Sequence, residues 1–183
     1  MSQAVVGIDE VGRGSWAGPL LVSAVKLNNP INGLTDSKKL TSKSRCKLSK
    51  VIKQNSQIGF GWVSASEIDE LGLSKAMFLA CDRAVEGFDS SLIFVIDGSI
   101  NYLKNHIHSR ATVKADQKIE EVSAASIVAK VARDSYMGLM GTVYPGYKFE
   151  KNKGYGTADH LRGLSQLGSC QIHRVSFAPM RGN

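Results

Sequence analysis

The stretch AVVGIDEVGRGSWAGPLLVSAV, residues 4–25, joins two short apolar runs through a glycine-rich connection. The runs Ala4 to Ile8 and Leu20 to Val25 predict two strands, and the glycines between them are typical of a turn with unusual backbone angles. Asp9 and Glu10 follow directly after the first run. The stretch therefore predicts the beginning of a sheet with two acids at the end of its first strand.

The rest of the chain alternates predicted strands and helices, which indicates an α/β layered domain. Further strands are predicted at Gln57 to Val63, Leu92 to Ile96 and Ala111 to Ala115, and helices at Ser42 (as N-cap) to about Gln54, Ser74 to Glu86, a long helix opened by Ser123, and about Ala158 to Leu167. No repeat or linker divides the sequence, so residues 1–183 are predicted to form a single domain.

The composition favours an ordinary globular protein with a polyanionic partner. Apolar residues make up 43% of the 183 residues, and the net charge of +7 raises the expectation of a nucleic-acid partner. Cys46, Cys81 and Cys170 are odd in number and form no CxxC pair, which favours a reducing cytoplasm over disulfides or a zinc site. The sequence has no apolar run long enough to cross a membrane, so no membrane association is expected.

Acids follow three of the predicted strands. Asp9 and Glu10 end VVGIDE, Asp97 ends LIFVID, and Asp116 ends ATVKAD. Ligand sites of sheets with parallel neighbours form beyond the carboxyl ends of strands, so these acids can meet in one crevice. Because consecutive strand residues point to opposite faces, Asp9 and Glu10 share a site only if the strand ends or twists there. The common alternative for any one of them is that it begins a turn or caps a helix.

Four clustered carboxylates would need a cation, because neighbouring like charges raise one another's pKa values. Oxygen ligands favour Mg²⁺ or Mn²⁺, and two such ions can drive in-line phosphodiester hydrolysis. The acids therefore predict a metal-dependent nuclease.

Nearly the whole chain resembles ribonuclease HII in the order of its motifs. The matching segments are GIDEVGRG (7–14), AGPL (17–20), DSKKL (36–40), IDG (96–98), KAD (114–116), SAASIVAKVARD (123–134), KGYGT (153–157) with His160, and HRVSFAP (173–179). The resemblance implies a ribonuclease H-like fold, with a mixed five-stranded sheet flanked by helices and a helical C-terminal part. It implies hydrolysis of the RNA strand of RNA–DNA hybrids and incision 5′ of single ribonucleotides embedded in duplex DNA. By the same resemblance, Asp9, Glu10, Asp97 and Asp116 are the catalytic, metal-binding acids, and the enzyme is expected to act as a monomer.

The resemblance also assigns substrate-binding residues. Gly12, Arg13 and Gly14 match the family loop that contacts the ribose 2′-hydroxyl, although a plain turn is the alternative reading of these glycines. Tyr155 matches the tyrosine that packs on the sugar of the nucleotide 3′ of the ribonucleotide; without the motif, it would be taken for an ordinary core or surface tyrosine. The sequence departs from the usual family pattern at Val11 and Ser15, where Ala and Pro are usual.

Several other polar residues are candidates for a role in substrate binding or in the fold. Lys38, Lys39, Arg174 and Ser176 are plausible phosphate contacts, although solvated surface is the common alternative for basic residues. The basic helix near residues 42–53 has an open role, because a charge run usually marks only the solvated side of a helix. Structural roles are expected for Asp134, paired with a nearby Arg or Lys, and for the hydrogen-bonded His160 and His173.

Three other functions are compatible with parts of this pattern. Holliday-junction resolvases and transposase-like nucleases share clustered acids but lack the GRG and KGYGT motifs. Phosphoacceptor signalling domains also gather acids at strand ends, although such domains are shorter and usually less basic. A non-enzymatic nucleic-acid-binding module is supported by charge alone.

Overall fold

Five strands form one mixed sheet in this computed structural model, which describes residues 4–34, 37 and 40–180. They are β1 (Val5–Val11), β2 (Leu20–Leu27), β3 (Ser56–Val63), β4 (Ile93–Asp97) and β5 (Ser109–Thr112). Their order is β3-β2-β1-β4-β5, with antiparallel pairing of β1 to β2 and of β2 to β3, and parallel pairing of β4 to both β1 and β5. The predicted mixed five-stranded sheet is confirmed.

Helices cover both faces of this sheet. They are α1 (Ser42–Gln54), α2 (Ala65–Leu71), α3 (Leu73–Val85), α4 (Glu120–Val143), α5 (Phe149–Asn152) and α6 (Ala158–Leu167). Helix α3 packs on one face through Met77, Cys81 and Ala84, against Val6 and Ile8 of β1. Helices α4 and α1 pack on the other face, where Ile127, Val128 and Ile52 meet Val25 of β2. Strands β2 and β3 contribute residues to both cores, because neighbouring strand residues point to opposite faces.

Gly7 sets the distance between β1 and α4. A Cβ atom at this position would lie 2.1 Å from the backbone carbon of Glu121 and 2.2 Å from the nitrogen of Val122. No side chain fits in that space, so the first turn of α4 rests directly on the strand. Ser23 adds a second attachment, since its hydroxyl donates to the carbonyl of Ala125 at 2.7 Å.

The pairing of β1 differs along its two edges. On the β2 side it is paired from Gly7 to Val11, whereas on the β4 side the pairing runs from Val5 only to Ile8. The last three residues of β1 therefore have no strand beside them on the β4 edge. This gap opens a crevice at the carboxyl ends of the parallel strands.

One predicted element near this crevice has different bounds. The bounds of the strand predicted at Ala111 to Ala115 are wrong. Strand β5 is Ser109–Thr112, and Lys114 adopts a left-handed φ of 57° that turns the chain. Asp116 then lies in a short 3-10 helix, Ala115–Gln117, rather than at a strand end.

Two predicted N-caps are also shifted. Ser123 does not open α4, which begins at Glu120 and buries Ser123 in its first turns. Helix α1 is capped by Thr41, whose hydroxyl accepts the N–H of Ser44 at 3.1 Å, and not by Ser42. Helices α2 and α5 were not predicted from the sequence.

The C-terminal part is helical, as predicted. Helices α5 and α6 pack with the end of α4 in a third apolar cluster that includes Met137, Tyr147 and Phe149. No helix in the described ranges is both long and apolar enough to cross a membrane. Cys46, Cys81 and Cys170 are free thiols.

Candidate active site

The crevice at the end of β1 and β4 is a cleft of about 390 Å³ that all four predicted acids line. Asp9 and Glu10 come from β1, Asp97 is the last residue of β4, and Asp116 comes from the 3-10 helix after β5. The same cleft is lined by Gly12, Arg13, Gly14, Ser37, Arg45, Ser126, Lys130 and Tyr155. The structure therefore brings the acids, the GRG loop and the KGYGT tyrosine of the sequence analysis to one place.

The pKa of Asp9 is strongly perturbed by its surroundings. Burial, the Glu10 charge and the Asp97 charge raise its pKa from 3.8 to about 7. Hydrogen bonds from the Ser126 side chain and from the backbone N–H of Glu10, the latter at 2.8 Å, oppose this rise. The site thus concentrates negative charge that the surrounding protein compensates only in part.

Ser126 is held in place for this contact. Its hydroxyl lies 2.8 Å from the hydroxyl of Ser37 in the buried interior. Since Ser126 donates its proton to Asp9, Ser37 must donate to Ser126. The backbone carbonyl of Ser37 in turn accepts from Arg45 at 3.0 Å.

Glu10 faces the cleft although it is the strand neighbour of Asp9. Strand alternation would place the two side chains on opposite faces. Because β4 does not continue beside Glu10, its carboxylate reaches the cleft around the open edge, where it lies 3.8 Å from the Arg13 guanidinium. The strand does not end between the two acids, because β1 continues to Val11 and remains paired with β2 up to that residue.

Asp97 and Asp116 are linked through the backbone of the 3-10 helix. The Oδ1 atom of Asp97 accepts the N–H of Ala115 at 2.7 Å. This bond fixes the segment that carries Asp116, which is 8% exposed. The short 3-10 helix after β5, and not the strand itself, therefore positions Asp116 in the cleft.

The donor set of the cleft suits a hard divalent cation. Carboxylate and hydroxyl oxygens surround Asp9, and a cation would relieve the repulsion that raises its pKa. As the side chains stand, no three His, Cys, Asp or Glu residues in the described part of the chain form a closed metal-binding cluster. The fit rests on the chemistry of the donors and on their shared cleft.

Two buried arginines hold the GRG loop from beneath. Arg174 donates to the carbonyls of Gly12 (2.7 Å), Arg13 (2.9 Å) and Gly18 (3.0 Å). Arg133 donates to four oxygens around the same loop: the Pro19 carbonyl at 2.8 Å, the Lys153 carbonyl at 3.0 Å, the Ser15 hydroxyl at 2.7 Å and the Ala17 carbonyl at 3.2 Å. Both guanidinium side chains are fully buried. The loop conformation is therefore fixed by the interior of the protein.

Gly12 is required by this packing. Its φ is 86°, and a Cβ atom there would lie 2.1 Å from the Nε atom of Arg133. Gly14 has open space around the corresponding position. Gly12 is thus needed for the conformation of the loop. The backbone at Gly14, which lines the cleft, has no protein atom packed against it on the side where a Cβ would lie.

Tyr155 lies at the rim of the cleft with 37% of its surface exposed. The guanidinium carbon of Arg133 lies 5.6 Å from its ring centroid, within the range of a cation–π contact. The exposed remainder of the ring is open to a ligand in the cleft.

The remaining predicted substrate contacts have different outcomes. The predicted phosphate contact by Arg174 is wrong, because its side chain is fully buried and bonded to backbone carbonyls. Ser176 does not line the cleft; its hydroxyl donates to Asp69 at 2.5 Å and fastens the C-terminal segment to α2. Lys38 and Lys39, with Asp36 before them, lie outside the described residues.

Polar residues with predicted structural roles make the expected contacts. Asp134 pairs with Lys130 at 2.9 Å, and His160 lies 3.0 Å from His173. Ser126, Lys130 and Arg133 lie in or beneath the cleft, and none of them was predicted from the sequence as a site residue. Arg133 carried a detectable signal, because it interrupts the apolar i, i+4 series of Ala129 and Met137 on α4.

Comparisons with known proteins agree with this arrangement. The sequence model of the family described as Ribonuclease HII matches residues 6–180. Ribonuclease HII of Halorhodospira halophila is 45% identical over 181 residues, which cover 97% of this chain and 93% of that protein.

Two solved structures resemble the whole chain. The structure of the PCNA:RNase HII complex from Archaeoglobus fulgidus gives a TM-score of 0.81 at 23% identity, covering 95% of both chains. Bst-RNase HIII in complex with Mn²⁺ gives 0.72 at 17% identity, covering 98% of this chain and 68% of that one. At these identities the two structures establish the ribonuclease H-like fold.

The family match decides against the resolvase, phosphoacceptor and non-enzymatic alternatives. The matched range, residues 6–180, includes every residue that lines the cleft. The chain belongs to the ribonuclease HII family, and it is an endonuclease that hydrolyses phosphodiester bonds in the RNA strand of RNA–DNA hybrids.

Proposed function

We propose that this endonuclease also incises duplex DNA 5′ of a single embedded ribonucleotide, with Mg²⁺ or Mn²⁺ held by Asp9, Glu10, Asp97 and Asp116. The observation that carries the proposal is the shared cleft, in which the four acids lie beside the GRG loop and Tyr155. One site can then hold a scissile phosphate and inspect the sugars next to it.

The acids would bind the ions through carboxylate oxygens, which are the ligands that these cations prefer. Bound divalent ions would supply an activated water and charge stabilisation for in-line displacement at phosphorus. Asp9 would ionise fully as its excess charge is compensated, and Ser126 would keep one of its oxygens oriented. The Mn²⁺ complex of Bst-RNase HIII, which has the same fold, supports this choice of cations.

The GRG loop would recognise the ribose 2′-hydroxyl through its backbone. The carbonyls of Gly12 and Arg13 point inward to Arg174. The N–H groups of Arg13 and Gly14 donate to no other described residue. Free donors at the cleft can bind a hydroxyl oxygen, which distinguishes ribose from deoxyribose.

Tyr155 would pack on the sugar of the nucleotide 3′ of the ribonucleotide. Its ring is exposed at the rim of the cleft and supported from behind by Arg133. An aromatic face grips a sugar or base without reading sequence. Lys38 and Lys39 remain predicted phosphate contacts on the same substrate.

We place this activity in a single catalytic domain that acts as a monomer in the cytoplasm. The free thiols of Cys46, Cys81 and Cys170 support a reducing compartment. The partners of the domain are RNA–DNA hybrids and ribonucleotide-containing DNA duplexes.

A cleavage assay on three labelled duplexes tests the proposal. One contains a single ribonucleotide, one is a continuous RNA–DNA hybrid and one is all DNA, each with Mg²⁺, with Mn²⁺ or with chelator. We expect a metal-dependent cut directly 5′ of the single ribonucleotide and none in the all-DNA duplex. Cleavage of the hybrid but not of the single-ribonucleotide duplex, or equal cleavage with chelator, would overturn it.

A further inference from the structure

His160 and His173 form a buried imidazole pair close to the substrate cleft. His160 lies in the first turn of α6 and is fully buried, and His173, in the segment after α6, is 3% exposed. Their Nε2 atoms are 3.0 Å apart. The ring of Tyr147 lies 4.9 Å from that of His173, and the ring of Phe149 lies 5.3 Å from that of His160.

Both imidazoles are neutral in this setting. Burial lowers the pKa of His160, and burial together with His160 lowers the pKa of His173 to about 4. Neither ring forms a salt bridge with any described residue. Each ring therefore carries one N–H and one lone pair.

The hydrogen-bond partners determine which nitrogen carries each proton. The Nδ1 atom of His160 lies 3.0 Å from the carbonyl of Tyr155, which can only accept, so Nδ1 holds the proton of His160. The Nε2 atom of His160 is then an acceptor, and the Nε2 atom of His173 must donate to it. The Nδ1 atom of His173 then has a lone pair, which accepts the N–H of Cys170 at 2.8 Å; the Cys170 carbonyl, 3.2 Å from the same nitrogen, would accept a proton only from the other tautomer.

These bonds form one directed chain from Cys170 through both imidazoles to Tyr155. The carbonyl of Tyr155 also accepts the N–H of Thr157 at 2.8 Å, so both of its lone pairs are used. The N–H of Tyr155 donates to the carbonyl of Asn152 at 3.0 Å. The peptide groups on both sides of the cleft tyrosine are thereby fixed.

We propose that His160 and His173 are positioning residues for substrate recognition, which hold the Tyr155 segment at the cleft through this oriented pair of neutral imidazoles. The inference rests on the proposed role of Tyr155 in gripping the sugar beside the ribonucleotide. Neither histidine lines the cleft, so the pair acts through the backbone of Tyr155.

Nitrogen NMR of the wild-type imidazoles tests the chain without any substrate. We expect His160 protonated at Nδ1 and His173 protonated at Nε2, each as a single neutral tautomer. The opposite assignment, or rapid exchange between tautomers, would overturn the proposal. This measurement does not depend on the role of Tyr155 or on the folding of a variant.

Kinetics with matched variants test the link to recognition. His160→Leu removes both hydrogen bonds, whereas the side-chain amide of His160→Asn can still donate to the Tyr155 carbonyl. We expect His160→Leu to raise KM for the single-ribonucleotide duplex about tenfold with kcat within about twofold, and His160→Asn to recover most of that loss. Equal KM values for His160→Leu and wild type would overturn the proposal.

A double variant separates this inference from the proposed function. If the pair acts through Tyr155, His160→Leu should add no further rise in KM in a Tyr155→Ala background. An undiminished additional loss would show a different role for the pair and overturn the inference. A Tyr155→Ala variant with normal KM would instead remove the proposed role of Tyr155, and with it the recognition role of the pair, while the tautomer measurement still reports on the chain itself.

Discussion

Asp9 and Asp97 occupy equivalent positions on two adjacent parallel strands, because each directly follows the last residue pair between β1 and β4, Ile8 with Ile96. Neighbouring parallel strands lie about 4.8 Å apart, so the two acids emerge side by side at the sheet edge. The Asp97 charge contributes to the raised pKa of Asp9. The sheet itself therefore enforces the charge repulsion on which a cation would act.

Removing one acid charge from the cleft is expected to stop hydrolysis without unfolding the protein. Asp97→Asn keeps an oxygen that can accept the N–H of Ala115 but loses the charge, so we expect cleavage of an RNA–DNA hybrid to fall about a thousandfold. Asp116→Asn should behave alike. Asp159→Asn, an exposed acid paired with Arg162, is the matched control and should cleave normally. Near-normal rates in both cleft variants would contradict the assignment of these acids.

The raised pKa of Asp9 predicts a pH-dependent stability in the absence of metal. Its folded-state pKa of about 7 exceeds the ordinary value of 3.8, so between these values the folded state binds the proton and the unfolded state does not. The stability that Asp9 contributes therefore falls as the pH rises from about 4 to about 7 and is constant above. Relative to wild type, Asp9→Asn should gain stability across that window.

Urea unfolding of both proteins from pH 4 to 8 measures this difference in the free energy of unfolding. The contributions of the other titrating groups are the same in both proteins and cancel in the difference. Adding Mg²⁺ at pH 8 should raise the midpoint of wild type more than that of Asp9→Asn, since the ion compensates the Asp9 charge. A stability difference that does not change with pH would be inconsistent with the raised pKa.

The two glycines of the GRG loop should respond differently to an added methyl group. Gly12→Ala places a Cβ against the Arg133 side chain at a positive φ, so we expect a loss of about 3 kcal/mol in the free energy of unfolding. Gly14→Ala meets no protein atom within 4 Å and should change stability by less than about 0.5 kcal/mol.

Gly14→Ala is therefore the clean test of close approach to the substrate. If the backbone at Gly14 contacts the ribose, the methyl group should slow cleavage at a single ribonucleotide about tenfold or more. Steady-state rates on that duplex, beside chemical denaturation of the same sample, give both values. A Gly14→Ala enzyme as active as wild type would argue against contact at this position.

The buried guanidinium of Arg133 should be a major contributor to the stability of the loop region. Arg133→Met leaves several buried oxygens without donors, so we expect a loss of about 3 kcal/mol in the free energy of unfolding. Arg133→Lys should recover little, because one ammonium group cannot replace the planar fork. Arg162→Met, at an exposed arginine on α6, is the control and should be nearly neutral. Equal stability of the Met variants at the two positions would contradict this role.

Periodicity predicted the sheet and the main helices well because their packing follows the sequence pattern directly. The apolar runs of β1 and β2 and the apolar face of α3 consist mainly of buried residues. Strand order accounts for Asp9 and Asp97, which lie side by side on neighbouring parallel strands. Asp116 lies in the 3-10 helix after β5, and its assignment also used the family motifs. These parts of the fold depend on local patterns.

Other features depend on contacts that a single sequence does not reveal. The left-handed backbone at Lys114 ended β5 early, and no glycine or proline marks that turn. Arg174 was predicted to contact phosphate, and nothing in the sequence marks it as a buried residue, since arginine is rarely fully buried. Its actual partners, the carbonyls of Gly12 and Arg13, are about 160 residues away along the chain, with sequence separations of 162 and 161.

Gly7 has no functional group, yet the chemistry of the cleft depends on its lack of a side chain. Any larger residue would lift the first turns of α4 from the sheet, and Ser126 would move away from Asp9 with the helix. A search for important positions that considers only reactive side chains would pass over this one. In this enzyme, the distance between Asp9 and Ser126 depends on the absence of a Cβ atom at Gly7.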